Sequence, residues 1–313
     1  MQDKYNNQDS ELSDNIILLR ELINTLLKER WIIASVTAFA SVVVVLYSLS
    51  LPNIYHSKSL LFPVEASSGI SGALRNYSGL ASLAGVSLPT QGGDSNSLKA
   101  MEKLKSLSFF EKNILPNIFL PELMAVKSWD SKTNTLEFKE DIYNKNSNTW
   151  VIDSSAQKKI PTAQDSFNVF KGHLSLSEDN LSGFVSLTVK HQSPFIAKQW
   201  ADLLINQINI FYRQKDKLQA EKSINYLNME ISKTSLTEIK QVMAELVQQE
   251  TQKLTLIESN ESYVFDYIDP PAVMEKKSEP KRALICILGS FFGSILGVLI
   301  ALIKHFRFKK INS

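Results

Sequence analysis

The sequence has few of the residues from which metal and redox sites are built. Its single cysteine is Cys286, so no disulfide can form within the chain and no pair of thiolates is available. The four histidines, His56, His173, His191 and His305, lack the spacing of metal ligands. The formal charge is only +2, and basic and acidic residues are interspersed. We therefore expect no metal centre, no cofactor and no nucleic-acid-binding surface.

Charged side chains are absent from two long runs, residues 31–51 and 283–303. As helices rising about 1.5 Å per residue, each would span roughly 30 Å, the thickness of the hydrocarbon core of a bilayer. A buried soluble helix of this length normally shows a polar stripe, whereas the second run offers only Ser290 and Ser294. Both runs are predicted to be transmembrane helices. A cleaved signal peptide is the alternative for the first, but its long leader and the lack of an A-x-A pattern disfavour it.

Small residues mark one face of the second predicted membrane helix. Gly289, Gly293 and Gly297 recur every four residues, a spacing that lets another helix approach closely. We expect this face to support assembly, so that Gly293→Leu weakens it. The alternative is the general frequency of glycine in membrane helices.

The basic residues predict the orientation in the membrane. Arg20, Lys28 and Arg30 precede the first run and Lys58 stands alone after it, which favours a cytoplasmic N-terminus. The second run has basic residues at both ends, but a two-pass chain must return to the same side. We therefore expect cytoplasmic tails at residues 1–30 and 304–313, with residues 52–282 outside the cytoplasm, in the periplasm of a Gram-negative cell.

The region between the two runs has the pattern of one α+β domain. Strands are predicted at residues 54–64, 173–177 and 183–191, and helices at 97–115 and 163–170. Residues 66–97 are a glycine-rich loop with a short helix at 80–84. No G-K-[ST] follows these glycines, so a nucleotide site is not expected. Residues 12–26 repeat apolar side chains at helical spacing and predict an amphipathic helix that packs on lipid, on a partner or on this protein.

Glycine and proline are both missing from residues 195–269. This run starts with Ser193-Pro194, a capping residue followed by proline in the first turn, and predicts a very long helix over about 195–262. If about 60 of these residues are helical, the rod is about 90 Å long. Its apolar stripe narrows along the run to Ile224, Leu227, Ile231, Leu236, Ile239, Met243 and Leu246.

The heptad of this stripe slips between Ile231 and Leu236, which disfavours a long regular two-stranded coiled coil. A narrow stripe on a rod of this length cannot be covered within one domain. We therefore expect it to pack on neighbouring copies of the chain.

The order of these features resembles the Wzz-type polysaccharide co-polymerases, the O-antigen chain-length determinants of Gram-negative inner membranes. The similar stretches are 183–197 (strand, Ser-Pro and helix start), 201–209 (the following helical segment), 80–85 (LASLAG) and a proline motif at Pro270, Pro271 and Pro280 before the second span. The interval 275–278 carries fewer prolines than the family pattern, and no Walker-type kinase segment follows the second span.

The resemblance implies a non-catalytic regulator of lipopolysaccharide O-antigen chain length. Its members are implied to form inner-membrane homo-oligomers that act with a separate O-antigen polymerase on a lipid-linked polysaccharide. Two alternatives stay open: a co-polymerase for chain length or export of a capsular polysaccharide or exopolysaccharide, and a membrane-anchored adaptor that binds a protein partner.

No catalytic residue is predicted. The adjacent carboxylates Glu140-Asp141 and Glu178-Asp179 lie in polar turns, where solvated surface is the expected role, although a glycosidase needs two facing carboxyls that sequence cannot place. The aromatic residues Trp129, Tyr143 and Trp150 offer surfaces on which sugars stack. Core or oligomer contacts are the more ordinary role for such rings.

Overall fold

The computed structural model describes residues 27–64, 96–151, 160–179 and 181–311. It divides the chain into two compact units. The membrane unit holds the chain up to Asn53 and from Ser278 onward, and the central unit runs from Ile54 to Lys277. The predicted amphipathic helix at residues 12–26 and the predicted short helix at 80–84 lie outside the described residues.

Eight helices and eight strands make up the described part of the chain, apart from single helical turns at Phe110–Ile114 and Leu115–Asn117. The helices are α1 (Arg30–Ser50), α2 (Asn96–Leu104), α3 (Leu107–Phe109), α4 (Leu120–Met124), α5 (Ala163–His173), α6 (Pro194–Lys233), α7 (Thr237–Ser259) and α8 (Arg282–Ile311). The strands are β1 (Tyr55–Pro63), β2 (Val126–Asp130), β3 (Thr135–Phe138), β4 (Tyr143–Asn144), β5 (Thr149–Trp150), β6 (Leu174–Glu178), β7 (Val185–His191) and β8 (Phe265–Asp269).

The membrane unit is built from α1 and α8. Residues Arg30–Ser50 and Arg282–Lys304 are long and apolar enough to cross a membrane, with mean hydropathies of 2.3 and 2.5. Only 6% and 11% of an apolar 18-residue stretch of each helix is buried, whereas the core helix of a soluble protein is mostly buried. The fold class is therefore α+β with a very long helix and two candidate membrane-spanning helices, as the sequence predicts.

The central unit is organised around a four-stranded sheet in the order β6-β7-β1-β8, in which every neighbouring pair is antiparallel. The predicted strands at 54–64, 173–177 and 183–191 are confirmed as β1, β6 and β7. In β7 the alternation of apolar and polar residues places Val185, Leu187 and Val189 in the core, each no more than 1% exposed. The opposite face carries the polar partners of the alternation.

The first half of α6 packs on the buried face of this sheet. The helix begins at Pro194 after the N-cap Ser193, as predicted from the Ser-Pro dipeptide. Trp200, Leu204 and Ile208 face the sheet and are at most 1% exposed. Phe195, in the first turn of the helix, is 46% exposed.

The prediction of one continuous helix over 195–262 is wrong. The helix α6 has 40 residues, about 60 Å in length, and ends at Lys233. The chain then turns through Thr234–Leu236 and returns as α7 along α6. The antiparallel pairing is shown by the ion pair between Lys217 Nζ and Glu258 Oε1, at 2.6 Å.

The position of this turn has a physical explanation. Thr234 and Ser235 are residue types whose side chains compete for backbone hydrogen bonds and favour helix ends. The turn also falls where the heptad slips, between Ile231 and Leu236. Folding back lets the two arms cover part of each other's stripe, which a straight rod would leave open. We call α6 and α7, joined by this turn, the helical hairpin.

Residues 126–150 hold two small hairpins, β2–β3 and β4–β5, where no strands were predicted from the sequence. Asn134 and Asn148 make their turns with φ of 51° and 52°, a backbone region that asparagine tolerates better than most residues. The predicted helix at 97–115 is shorter than expected. It ends as α2 at Leu104, and Ser106 caps the separate turn α3 by accepting a hydrogen bond from Phe109 N–H.

Candidate functional site

The predicted apolar stripe lies on both arms of the helical hairpin, and the structure divides it into two groups. Ile224, Leu227, Ile231 and Met243 are half-buried. Leu236, Ile239 and Leu246 remain 56%, 40% and 41% exposed. The hairpin therefore covers one part of the stripe within the chain and leaves the other part open.

The open part continues through residues that the sequence analysis did not select. On α7, Val242 is 57% exposed and lies between Ile239 and Leu246 at helical spacing. We call Leu236, Ile239, Val242 and Leu246 the open stripe. On α6, Leu218, Tyr226 and Met229 are also at least half exposed. Exposed apolar side chains repeated along one helix face are typical of a contact surface.

A ladder of polar contacts holds the returning chain to α6. Three α6 residues spaced by seven positions bind it: Tyr267 Oη donates to Asp202 Oδ1 at 3.4 Å, Asn209 bonds the backbone of Phe265, and Tyr263 Oη donates to Asp216 Oδ2 at 2.6 Å. Burial and, to a smaller extent, the negative charge of Asp202 raise the pKa of Tyr267 to about 12. Burial and the bond to Asp216 also raise the pKa of Tyr263.

The polar ladder was not predicted from the sequence. The sequence feature that could have predicted it is the seven-residue spacing of Asp202, Asn209 and Asp216, which places all three on one helix face. At the far end of the ladder, Arg213 donates to the backbone carbonyls of Asn260 and Glu261, which follow the end of α7. The ladder fixes where α7 and β8 lie along α6, and so it positions the open stripe.

The glycine face of α8 packs on α1 of the same chain. A Cβ atom added at Gly293 would lie 2.6 Å from Ala40 Cβ, and one at Gly289 would lie 2.5 Å from Val44. At Gly297 the nearest atom would be Ile33 O, at 3.1 Å. We expected this face to support assembly, but the structure uses it for a contact within the chain. Its small residues let the two helix backbones approach closely.

Polar groups join α1 and α8 at three levels. Ser41 Oγ and Ser290 Oγ lie 2.9 Å apart next to the glycine face. Lys304 Nζ and Glu29 Oε2 form an ion pair at 3.0 Å. At the other end of the helices, Arg282 donates to Asn53 Oδ1 at 3.1 Å. The two candidate spanning helices thus form an antiparallel pair with a defined register.

The residues of the proline motif do not form one site. Pro270 and Pro271 follow β8 in the central unit, where Pro271 is buried and Pro270 is exposed. The next residue is held on the sheet, because Ser57 Oγ donates to Ala272 O at 3.0 Å. Pro280 belongs to the membrane unit and precedes α8.

The acidic pairs lie in or next to turns, and Glu178, which was predicted in a turn, is the last residue of β6. Asp179 Oδ1 accepts the Leu181 N–H and its Oδ2 accepts the Ser182 hydroxyl, and these bonds lower the pKa of Asp179. Its carboxylate therefore shapes the turn between β6 and β7. Glu140 and Asp141 are exposed between β3 and β4. In the ranges that the structure describes, no three His, Cys, Asp or Glu side chains are placed to hold a metal ion.

The three aromatic candidates for sugar stacking are engaged with other rings. Tyr143 is 3% exposed and makes an edge contact with Trp150 at 5.4 Å. Trp129 makes an edge contact with Tyr55 at 5.3 Å, and its Nε1 donates to Asn134 Oδ1. These contacts give the rings packing roles within the central unit.

The comparison with protein families bears on the N-terminal third of the chain. Residues 15–114 match the family described as Wzz, chain length determinant protein. The resemblance to the Wzz family is confirmed. The matched segment contains α1, β1, α2 and α3. The motifs at 183–197 and around Pro270 and Pro280 lie beyond it, so their likeness to Wzz proteins stays a prediction. The stretch 80–85 lies outside the described residues.

Among solved structures, a full-length bacterial polysaccharide co-polymerase is 11% identical to this chain, with a TM-score of 0.40. The alignment covers 92% of this chain and 97% of that protein. A fragment of the polysaccharide co-polymerase WzzB from Salmonella Typhimurium is 12% identical with a TM-score of 0.30, covering 72% and 100%. Both scores are below 0.5, so the likeness to Wzz rests on the sequence match of residues 15–114. No significant match to a curated protein sequence was found.

Proposed function

We propose that this chain is a non-catalytic regulator of polysaccharide chain length, an oligomeric scaffold that acts with a separate polymerase on a lipid-linked glycan. The match of residues 15–114 to the Wzz chain length determinant family carries this proposal. The order along the sequence, with one candidate spanning helix before and one after a large α+β unit, is consistent with it. O-antigen of lipopolysaccharide is the proposed glycan.

The proposed location is the inner membrane. The basic residues before α1 favour a cytoplasmic N-terminus, and a two-pass chain then places both tails in the cytoplasm and the central unit in the periplasm. The second span has basic residues at both ends, so its orientation follows from that of the first span. A reporter enzyme fused after Lys277 should be active only on the periplasmic side, and cytoplasmic activity would contradict this topology.

The proposed assembly surface is the open stripe of α7, together with the exposed residues of α6. Apolar side chains on this surface gain about 25 cal/mol per Å² when a neighbouring copy buries them. We expect Val242→Glu to reduce the size of the detergent-solubilised oligomer in multi-angle light scattering. Gln241→Glu, at an exposed neighbouring position of α7, introduces the same charge and should leave the size unchanged.

The decisive experiment compares the surface glycan of wild-type and deletion strains on a gel. Loss of the modal length of lipopolysaccharide on deletion, restored by the wild-type chain, is the expected result. A change confined to capsular polysaccharide or exopolysaccharide would replace O-antigen as the glycan. Unchanged glycans of all three kinds would reject the regulator and leave the protein-binding adaptor.

A further inference from the structure

Two histidine side chains, His173 and His191, contact the indole ring of Trp200 in α6. His191 is the last residue of β7 and is only 2% exposed, and His173 is the last residue of α5. Their ring centroids are 5.9 Å apart. The ring of Trp200 lies 5.0 Å from His191 and 5.8 Å from His173. We call His173 and His191 the histidine pair.

The hydrogen bonds define the protons of both rings. His191 Nδ1 accepts the Ser193 N–H at 2.9 Å, so the ring carries its proton on Nε2 and donates it to Glu122 O at 2.9 Å. His173 Nδ1 faces Lys190 O at 2.7 Å, and a carbonyl can only accept, so this nitrogen carries the proton of His173. His191 is thus neutral, and it joins three elements: β7, α4 and the N-cap of α6.

A second proton on His191 would break this arrangement. It must go to Nδ1, which already accepts the Ser193 N–H, so that bond would be lost and two donors would face each other. The resulting charge would lie at the N-terminus of a 40-residue helix, where a cation is unfavourable. Burial lowers the pKa of His191 to about 4, with a further contribution from His173.

His173 can take a proton without losing its bond. The free nitrogen is Nε2, and Nδ1–H would continue to donate to Lys190 O. A cation at the C-terminus of α5 is also favourable. Burial lowers the pKa of His173 as well. Because the two rings are close, a charge on His173 opposes the protonation of His191.

The other ionisable groups around the pair come from four elements. The backbone carbonyl of Glu122 in α4 accepts the hydrogen bond from His191. Burial raises the pKa of the Glu122 side chain. On β1, Tyr55 lies opposite His191 and His56 lies opposite Lys190 of β7. On α6, Lys198 is paired with Asp202 at 2.6 Å.

We propose that the histidine pair is an acid-operated latch, which holds the start of α6 to β7 and α4 while both rings are neutral and releases it when His191 is protonated. Below the release point the Ser193 N–H loses its acceptor and the first turn of α6 loosens. This device does not depend on the proposed function, since it is a property of the central unit.

The latch can be tested by hydrogen–deuterium exchange of the full-length chain in lipid nanodiscs between pH 7.5 and 3.5, with protection corrected for intrinsic exchange. Two backbone amides report on the latch. The Ser193 N–H donates to His191 Nδ1, and the Ala197 N–H donates to Ser193 O. Their protection should fall at least about tenfold more than that of the α7 amides as pH decreases, with a midpoint near pH 4.

Two variants give opposite expected results. In His191→Asn, the side-chain oxygen can accept the Ser193 N–H without titrating, so the selective loss of protection should disappear. In His173→Gln, the opposing charge is removed, so His191 takes its proton more readily and the midpoint should move to higher pH. His305→Gln, in the membrane unit, is the matched control and should behave as wild type.

Three results would overturn the latch. The first is wild-type protection at Ser193 that falls no more than that of α7 over this pH range. The second is selective loosening that persists unchanged in His191→Asn. The third is an unchanged or lower midpoint in His173→Gln, which decides the question even where His191→Asn does not fold.

Discussion

Asn209 and Phe265, 56 positions apart, hold each other by two hydrogen bonds, from Phe265 N–H to Asn209 Oδ1 at 2.9 Å and from Asn209 Nδ2 to Phe265 O at 2.8 Å. The side-chain amide on α6 thus binds both the N–H and the C=O of the first residue of β8, as the backbone of a neighbouring strand does in a sheet. Val264 N–H binds the same Oδ1 at 2.9 Å. One side chain therefore satisfies three backbone groups where the chain enters the sheet.

Replacing this amide tests the polar ladder. Asn209→Ala leaves these part-buried backbone groups without their partner, so we expect it to destabilise the central unit by about 1–3 kcal/mol. The measurement is thermal unfolding of the detergent-solubilised chain. Asn206→Ala removes the same side chain from an exposed position of the same helix and should have a much smaller effect. Equal effects of the two variants would contradict the role of the ladder.

The ladder also predicts the response to alkali. The pKa of Tyr267 is about 12 in the folded chain, above the usual value near 10, so the folded state keeps its phenol proton where the unfolded state loses it. The stability contributed by this group is full below about pH 10 and is lost as pH rises toward 12. In urea unfolding between pH 8 and 11.5, Tyr267→Phe should lose stability less steeply than wild type. The exposed Tyr226→Phe should match the wild-type slope.

The helix pairing in the membrane unit can be tested by a disulfide. With Cys286 replaced by Ser, Ser41→Cys and Ser290→Cys should cross-link on oxidation within one chain, since the two hydroxyls are 2.9 Å apart. Gly293→Leu should lower the yield, because its side chain would overlap Ala40. Ala283→Leu enlarges an exposed position of α8 and serves as the control. Cross-linked dimers in place of shifted monomers would show that the helices pair between chains.

The ion pair between Glu29 and Lys304 contributes to the same helix pairing. The side chains are 21% and 42% exposed, so a coupling free energy of only about 0.2–1 kcal/mol is expected. A double-mutant cycle with Glu29→Gln and Lys304→Gln, measured by thermal unfolding in detergent, gives this coupling directly. A coupling of zero would mean that the pair has no role in the stability of the unit.

Patterns that repeat within a few residues predicted the structure well. The alternation in Val185, Leu187 and Val189 identified β7 and its buried face. The dipeptide Ser193-Pro194 located the start of α6. Two uncharged runs identified α1 and α8, because length and apolarity are the only properties that such helices need.

Features that depend on distant residues were not predicted. The return of α7 along α6 depends on contacts such as Lys217 with Glu258, which no local pattern contains. The slip of the heptad between Ile231 and Leu236 indicated an irregularity, but not a reversal of direction. In the same way, spacing identified Gly289, Gly293 and Gly297 as a packing face, but the partner, α1, became known only from the fold.

The turn at Thr234–Leu236 makes the far end of the helical hairpin an extensible module. One arm leads away from the sheet and the other leads back. The polar ladder joins α6 to the chain that follows α7, and the ion pair between Lys217 and Glu258 joins the two arms themselves. Seven residues added to each arm beyond that point would lengthen the hairpin by about 10 Å while every contact near the sheet keeps its alignment. The reach of the protein can therefore change by paired insertions, independently of the rest of the chain.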